Sequence, residues 1–270
     1  MSDLRIVISG AGGRMGRALI SAILDTPGLA LAGALEYAGS SHLGEDAGLM
    51  CAARATGVRV TSVEAALPAA DVAIDFSTPA ASAGLATRLA AAGVPMVIGT
   101  TGFSGADTAV LAAAAARIAI VKSGNMSLGV NLLAALTRRV AATLDESFDI
   151  EIVEMHHNKK VDAPSGTALL LGEAAAEGRG RRLDECADRG RDGQTGARKP
   201  GDIGFASLRG GSVVGEHVVI FAGPYERIEL AHKAEDRQIF ARGALAAARW
   251  VQGRPAGLYS MADVLGLADY

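Results

Sequence analysis

The chain has 270 residues, 50% of them hydrophobic, with 34 glycines and a formal charge of -3. That length allows one large domain or two of ordinary size, and the composition suits an Ala/Gly/Val-rich α/β protein better than a disordered one. The slightly negative charge excludes general affinity for nucleic acid or an acidic membrane, so any basic site must be local.

Met1-Ser2-Asp3-Leu4-Arg5 runs straight into a strand-like segment without a signal-peptide layout. Short apolar runs at 6–8, 29–35, 72–76, 96–98 and 118–121 are bounded by Gly, Pro, Asp or Ser, and each is followed by a longer Ala/Leu-rich segment. That alternation predicts a Rossmann-like parallel sheet with helices on both faces, a dinucleotide-binding domain. After the first strand comes Gly10-Ala11-Gly12-Gly13-Arg14-Met15-Gly16, then a predicted helix over 17–24. The glycines let the backbone turn tightly and approach a pyrophosphate, although the strict G-x-G-x-x-G spacing fails at Met15. Glu36 closes the second predicted strand about 20 residues on, where such folds place an acid on the adenosine ribose.

Two later loops fall at the same sheet edge. In Asp75-Phe76-Ser77-Thr78-Pro79 the expected role of Thr78 is to cap a helix starting near Pro79. Gly99-Thr100-Thr101-Gly102 has the stronger claim to a cofactor contact, because a cap does not need the glycine.

Beyond Ser123-Gly124-Asn125-Met126-Ser127 a helix is predicted over 128–144, then a strand over 148–155. The strand delivers Glu154-Met155-His156-His157-Asn158-Lys159-Lys160-Val161-Asp162-Ala163-Pro164-Ser165-Gly166-Thr167, directly before a helical run at 168–176. Two imidazoles that titrate near neutrality, two ammonium groups and a helix N-terminus together make a loop suited to protons and anions. The Arg-rich stretch 179–202 reads as a long, solvated, mobile loop. Segments 212–222 and 225–233 around Gly223-Pro224 form a predicted β-hairpin in an antiparallel or mixed sheet. If helices cover one side of that sheet, its other face needs covering, which oligomer formation would provide. Helices are expected over 239–251, returning to the nucleotide domain, and over 258–267. The resulting bounds are 1–126 with 238–270 for a discontinuous dinucleotide-binding domain, and 127–237 for an α+β substrate-binding and oligomerisation domain with a mixed sheet.

Cys51 and Cys186 lack metal-ligand spacing and read as reduced, packed thiols; no metal is expected. No uncharged apolar stretch reaches the roughly 18 residues of a membrane span. The expected location is the cytoplasm.

The glycine loop, Gly99 to Phe103, Asn125-Met126-Ser127-Leu128-Gly129-Val130-Asn131, Glu154 to Thr167, Gly215-Glu216-His217 and His232-Lys233-Ala234 resemble the 4-hydroxy-tetrahydrodipicolinate reductase (dihydrodipicolinate reductase) family. The resemblance spans nearly the whole chain. It implies NAD(P)H-dependent reduction of a cyclic dicarboxylate in diaminopimelate and lysine synthesis, by a homotetramer built through the sheets of its second domains. It also implies His156 as general acid/base and Lys160 as proton donor, with His157, Lys160, Ser165, Gly166 and Thr167 around the substrate carboxylates. The implied cofactor contacts are Gly10, Ala11, Gly12, Gly13, Arg14, Met15, Glu36, Gly99, Thr100, Thr101, Ser123, Gly124, Asn125 and Met126.

General chemistry agrees with these roles. Hydride addition to a conjugated imine leaves electron density that an acid poised near neutrality can protonate. An ammonium group and helix amides suit two carboxylates, and Lys159 is expected to point to solvent. Many members of the family that use NADPH well carry Arg after the acid, where this chain has Tyr37. The expectation is use of both NADH and NADPH, with some preference for NADH. Another two-domain NAD(P)-dependent oxidoreductase acting on an amino-acid-like anion is the alternative enzymatic reading, and a nucleotide-sensing protein the non-enzymatic one. His217 and His232 are expected to serve structural, hydrogen-bonded roles.

Overall fold

A computed structural model describes residues 2–267; Met1 and residues 268–270, which the sequence-based domain bounds include, lie outside the described residues. In chain order the elements are β1 (Leu4–Ser9), α1 (Arg14–Asp25), β2 (Leu29–Glu36), α2 (Ala47–Cys51), β3 (Val60–Ser62), β4 (Val72–Asp75), α3 (Pro79–Ala92), β5 (Met96–Ile98), α4 (Gly105–Ala115) and β6 (Ala119–Lys122). They continue with α5 (Leu128–Thr143), β7 (Asp149–His156), α6 (Gly166–Gly178), α7 (Leu183–Cys186), β8 (Ala187–Asp188), β9 (Ile203–Arg209), β10 (Gly215–Ala222), β11 (Arg227–Ala234), α8 (Gln238–Trp250), β12 (Gly257–Tyr259) and α9 (Met261–Leu265). The chain divides into two compact units, one of residues up to Ser127 with Gln238–Val264, the other built on Leu128–Arg237.

The first unit holds a sheet ordered β12-β6-β5-β4-β1-β2-β3, parallel throughout. Short runs such as Ile6-Val7-Ile8 and Met96-Val97-Ile98 are apolar at every position because side chains alternate and both faces are buried. Leu85, Leu89 and Leu111 of α3 and α4 pack on Val7, Met96, Ile98 and Ile120, while α1 and α8 pack together. Strand order reverses beside β1, between β2 and β4, so the loops after these strands meet at the crevice where such folds bind nucleotides. After the second unit the chain returns here: Arg249 donates to Pro27 O at 3.1 Å, and Gln252 to Asp71 O at 3.1 Å. The stretch expected as one helix over 258–267 starts instead with β12, which pairs with β6 through Gly257, Leu258 and Tyr259 before α9 begins. An unpaired edge of β6 is a stronger demand than one more turn of helix.

The second unit has a mixed sheet ordered β11-β10-β7-β9-β8, in which β7 is antiparallel to β10 and parallel to β9. The hairpin of β10 and β11 forms as its pattern suggested. Along β7 burial alternates strictly; Ile150, Ile152, Glu154 and His156 face inward. Leu133 of α5 and Leu171 and Ala175 of α6 join Ile150, Ile152, Phe205 and Val219 in the core. The reading of 179–202 as a plain solvated loop is corrected. It contains α7 and β8, buries Cys186, and is bound to the sheet by Arg198, which donates to Asp149 at 2.8 Å, Glu151 at 2.9 Å and Ile150 O at 3.0 Å. Its arginines meet acids on β7, which a local charge count does not show.

Candidate active site

In the first unit the glycine turn is shaped by contact rather than by side chains. Gly10 has φ +76°, a left-handed conformation that costs other residues energy, and a Cβ there would also strike Phe76 O. Gly16 is pressed against the Gly10 carbonyl, closing helix onto turn. Helix α1 starts at Arg14 with Gly13 as N-cap and no side-chain cap, which leaves its first-turn N–H groups to be satisfied from outside the helix. The Gly12 N–H donates to Glu36 Oε1 at 2.7 Å and the Tyr37 N–H to Glu36 Oε2 at 3.3 Å, so the carboxylate is fixed at the end of β2. An open helix N-terminus for a pyrophosphate and a fixed acid for a ribose diol fit a dinucleotide cofactor.

Two residues not singled out in the sequence brace this turn. Arg17 donates to Gly12 O at 2.9 Å and to His42 Nε2 at 3.1 Å. Because arginine only donates, His42 Nε2 accepts and its Nδ1–H donates to Glu45 at 2.9 Å.

The loops after β4 and β5 are joined by a buried carboxylate. Asp75 accepts from Ser77 Oγ at 2.6 Å, from Thr100 Oγ1 at 2.8 Å, and from Ser82 Oγ. Thr100 Oγ1 also accepts from the Ser77 N–H at 2.9 Å, so the Thr100 hydroxyl is held inside the protein. Thr78 stands at the N-cap of α3 but makes no side-chain cap bond, contrary to its expected role. The adjacent Ser77 hydroxyl turns to Asp75 rather than to the helix. Gly99 is packed against the Phe76 ring, and Thr101 is exposed. Ser123 Oγ donates to Asn125 O at 2.7 Å, Asn125 Oδ1 accepts from the Ser127 N–H at 2.9 Å, and Met126 is buried.

In the second unit the inward face of β7 ends in Glu154 and His156. Glu154 Oε2 lies 2.6 Å from His156 Nδ1 and accepts from Arg209 at 2.8 Å; Oε1 accepts from Arg209 at 2.8 Å and from the Ser165 N–H at 3.2 Å. Burial pushes the Glu154 carboxyl up, but bonds from Arg209, His156 and Ser207 outweigh it and hold the group down at about 2. His217 lies edge-on to His156, with ring centroids 5.1 Å apart, and its Nε2 is 3.0 Å from Ser165 Oγ. Burial, then the neighbouring His156, lowers His217 to about 4. Among the described residues its Nδ1 is buried without a partner, as is Nδ1 of His232, which stands opposite it on β11. The hydrogen-bonded role expected for both thus describes only one nitrogen of His217.

Lys160 is joined to Asp162 at 2.7 and 2.8 Å, a partner the sequence did not mark. His157 Nδ1 accepts from the Lys159 N–H at 3.3 Å, and Lys159 is exposed, as expected. Ser165 is buried; its N–H goes to Glu154 at 3.2 Å, and its Oγ caps the Ala168 N–H at 3.1 Å and meets His217. Gly166 opens α6 with no atom within 4 Å of a Cβ placed there. Arg209 escaped notice because β9 was not predicted, and only strand pairing puts it opposite His156. Among the described residues no group of three or more His, Cys, Asp or Glu could hold a metal ion, and no helix is long and apolar enough to cross a membrane.

A doubly wound sheet with an open glycine turn, followed by a mixed-sheet unit presenting histidine, lysine and a helix N-terminus, defines a two-domain NAD(P)H-dependent oxidoreductase. Residues 4–126 match the family described as "Dihydrodipicolinate reductase, N-terminus" and residues 129–265 the one described as "Dihydrodipicolinate reductase, C-terminus". The 4-hydroxy-tetrahydrodipicolinate reductase of Rhodopseudomonas palustris (strain BisB5) is 63% identical over 271 residues, covering 100% of both chains. That of Bradyrhizobium diazoefficiens is 60% identical over 270 residues, again covering 100% of both. A dipicolinate-bound dihydrodipicolinate reductase from Paenisporosarcina sp. TG-14 shares the fold, with a TM-score of 0.73 at 24% identity over 96% of this chain and 97% of that one. The chain belongs to the dihydrodipicolinate reductase family.

Proposed function

We propose that the chain reduces 4-hydroxy-tetrahydrodipicolinate to tetrahydrodipicolinate, with loss of water, in diaminopimelate and lysine biosynthesis. The observation that carries the reading is the buried Glu154–His156 pair, which shares the end of β7 with Lys160 and the N-terminus of α6. Bound NAD(P)H supplies a hydride to the conjugated imine. His156 Nε2 acts as the acid/base, since Nδ1 is committed to Glu154. Lys160 donates a proton after leaving Asp162, and its ammonium group, His157 and the amides of Gly166 and Thr167 hold the two carboxylates. The glycine side of Gly166 leaves room for one of them.

Gly10 to Met15 hold the pyrophosphate, and Glu36 the adenosine ribose. Gly99, the backbone of Thr100 and Thr101, and Ser123 to Met126 line the nicotinamide end. Glu36 repels a 2′-phosphate, and the exposed Tyr37 offers it no cation; both cofactors are used, NADH preferentially. The face of the mixed sheet away from α5 and α6 carries Val153, Met155, Val218, Ile220 and Leu208, and copies of the chain associate through it as a homotetramer. The working location is the cytoplasm.

Coupling a dihydrodipicolinate synthase reaction to NAD(P)H oxidation tests the reading. Oxidation should depend on both the synthase and this protein; none with the wild-type chain would refute it. A hundredfold advantage of NADPH in kcat/KM would remove the cofactor preference while leaving the activity in place.

A further inference from the structure

Glu154 touches both halves of the proposed chemistry of the second unit. Ionised and buried, it can only accept hydrogen bonds, so His156 Nδ1 must carry the proton in their 2.6 Å bond. That commits the imidazole to one tautomer and leaves Nε2 as the atom whose protonation can change. Nε2 lies 3.0 Å from where a Cβ on residue 215 would stand, and Gly215 keeps that side uncovered. The other oxygen of the same carboxylate holds the Ser165 N–H at 3.2 Å, and Ser165 caps α6 through Ala168. One side chain therefore sets the imidazole and seats the start of the helix. Arg209 grips both oxygens, at 2.8 Å each, and fixes the carboxylate between them.

We propose that Glu154 is a positioning residue for the reduction, held by Arg209, that fixes the tautomer and orientation of His156 together with the N-terminus of α6. The proposal rests on the reading of His156 as acid/base. Around His156 stand Glu154 on its own strand, Arg209 paired opposite it on β9, and His217 from β10, backed by His232 of β11. Of these, only Glu154 pairs directly with the imidazole as an anion. Removing it leaves the imidazole free to take the other tautomer or to turn.

The test compares Glu154→Leu, which offers Nδ1–H no acceptor, with the double variant Glu154→Leu/Arg209→Met, which leaves no buried charge unpaired should the single variant fold poorly. The readouts are kcat and KM, the ¹⁵N signals of His156, and NADH binding. Both variants should lose about a hundredfold in kcat and lose the Nδ1–H tautomer, with NADH affinity unchanged. Wild-type turnover and a wild-type tautomer in either folded variant would overturn the inference. Wild-type turnover in His156→Gln would instead remove the acid/base reading on which it rests.

Discussion

The turn after β1 and the loop after β7 both lie at the C-terminal ends of strands, but one is built from backbone and the other from side chains. In the first, glycines bring amides and a helix N-terminus into the open, and the main fixed charge is Glu36, tied to the Gly12 N–H. In the second, His156 and the start of α6 are held by Glu154 and Arg209, which come from strands far apart in sequence. A backbone site is destroyed by adding atoms. A side-chain site is destroyed by removing a charge.

Gly10→Ala should have the largest effect, because it combines a left-handed backbone with a collision at Phe76 O. A loss of about 3 kcal/mol or more in stability, with NADH binding abolished, is expected in a melting curve and a fluorescence titration. Arg209→Met should cost about 3 kcal/mol by taking the cation from the buried Glu154, which keeps its bonds with His156 and the Ser165 N–H. Unlike Gly10→Ala, it should spare NADH binding in the protein that remains folded. If both variants lose cofactor binding alike, the contrast between the two sites fails.

Acid should act on the second unit first. His217 is held at about 4, against an ordinary 6.5, so the unfolded chain takes up its proton first. Stability falls as pH drops from about 6.5 to 4, by about 3 kcal/mol at most. Glu154, lowered to about 2 from 4.5, contributes stability that is present above 4.5 and lost between about 4.5 and 2. Denaturant melts at pH 7.5, 5.5 and 4.5 should show the first loss, and His217→Gln should flatten it. A variant with an unchanged slope would exclude His217 as the cause. The smallest effect is expected from Asp162→Asn, which frees Lys160 from an exposed partner and should change substrate KM about threefold with kcat nearly constant. A large fall in kcat would mean that Asp162 takes part in proton transfer.

These differences also account for what could be read from the chain. The order of strand, glycine turn, helix, strand and acid is local, and each residue type is dictated by its own backbone, so the turn and the place of Glu36 at the end of β2 were legible. The alternation Ile150-x-Ile152-x-Glu154-x-His156 already places an acid and a histidine on one buried face, two residues apart. Their neutralising partner was hidden because Arg209 lies on an unrecognised strand, its position set by pairing with β7. Likewise, the hydroxyls of Ser77 and Thr100 looked available in sequence and are used by Asp75, a demand visible only once β4 and β5 are neighbours.

The central claim is that the proton is handled in the second unit by His156 while the cofactor is held in the first. Measuring substrate turnover and NADH affinity together in His156→Gln tests it most directly. The expected result is a fall in kcat of about a hundredfold or more with NADH affinity within about twofold of wild type, because the substitution removes no group from the glycine turn. Wild-type turnover, or turnover and NADH binding lost together in a folded protein, would contradict it.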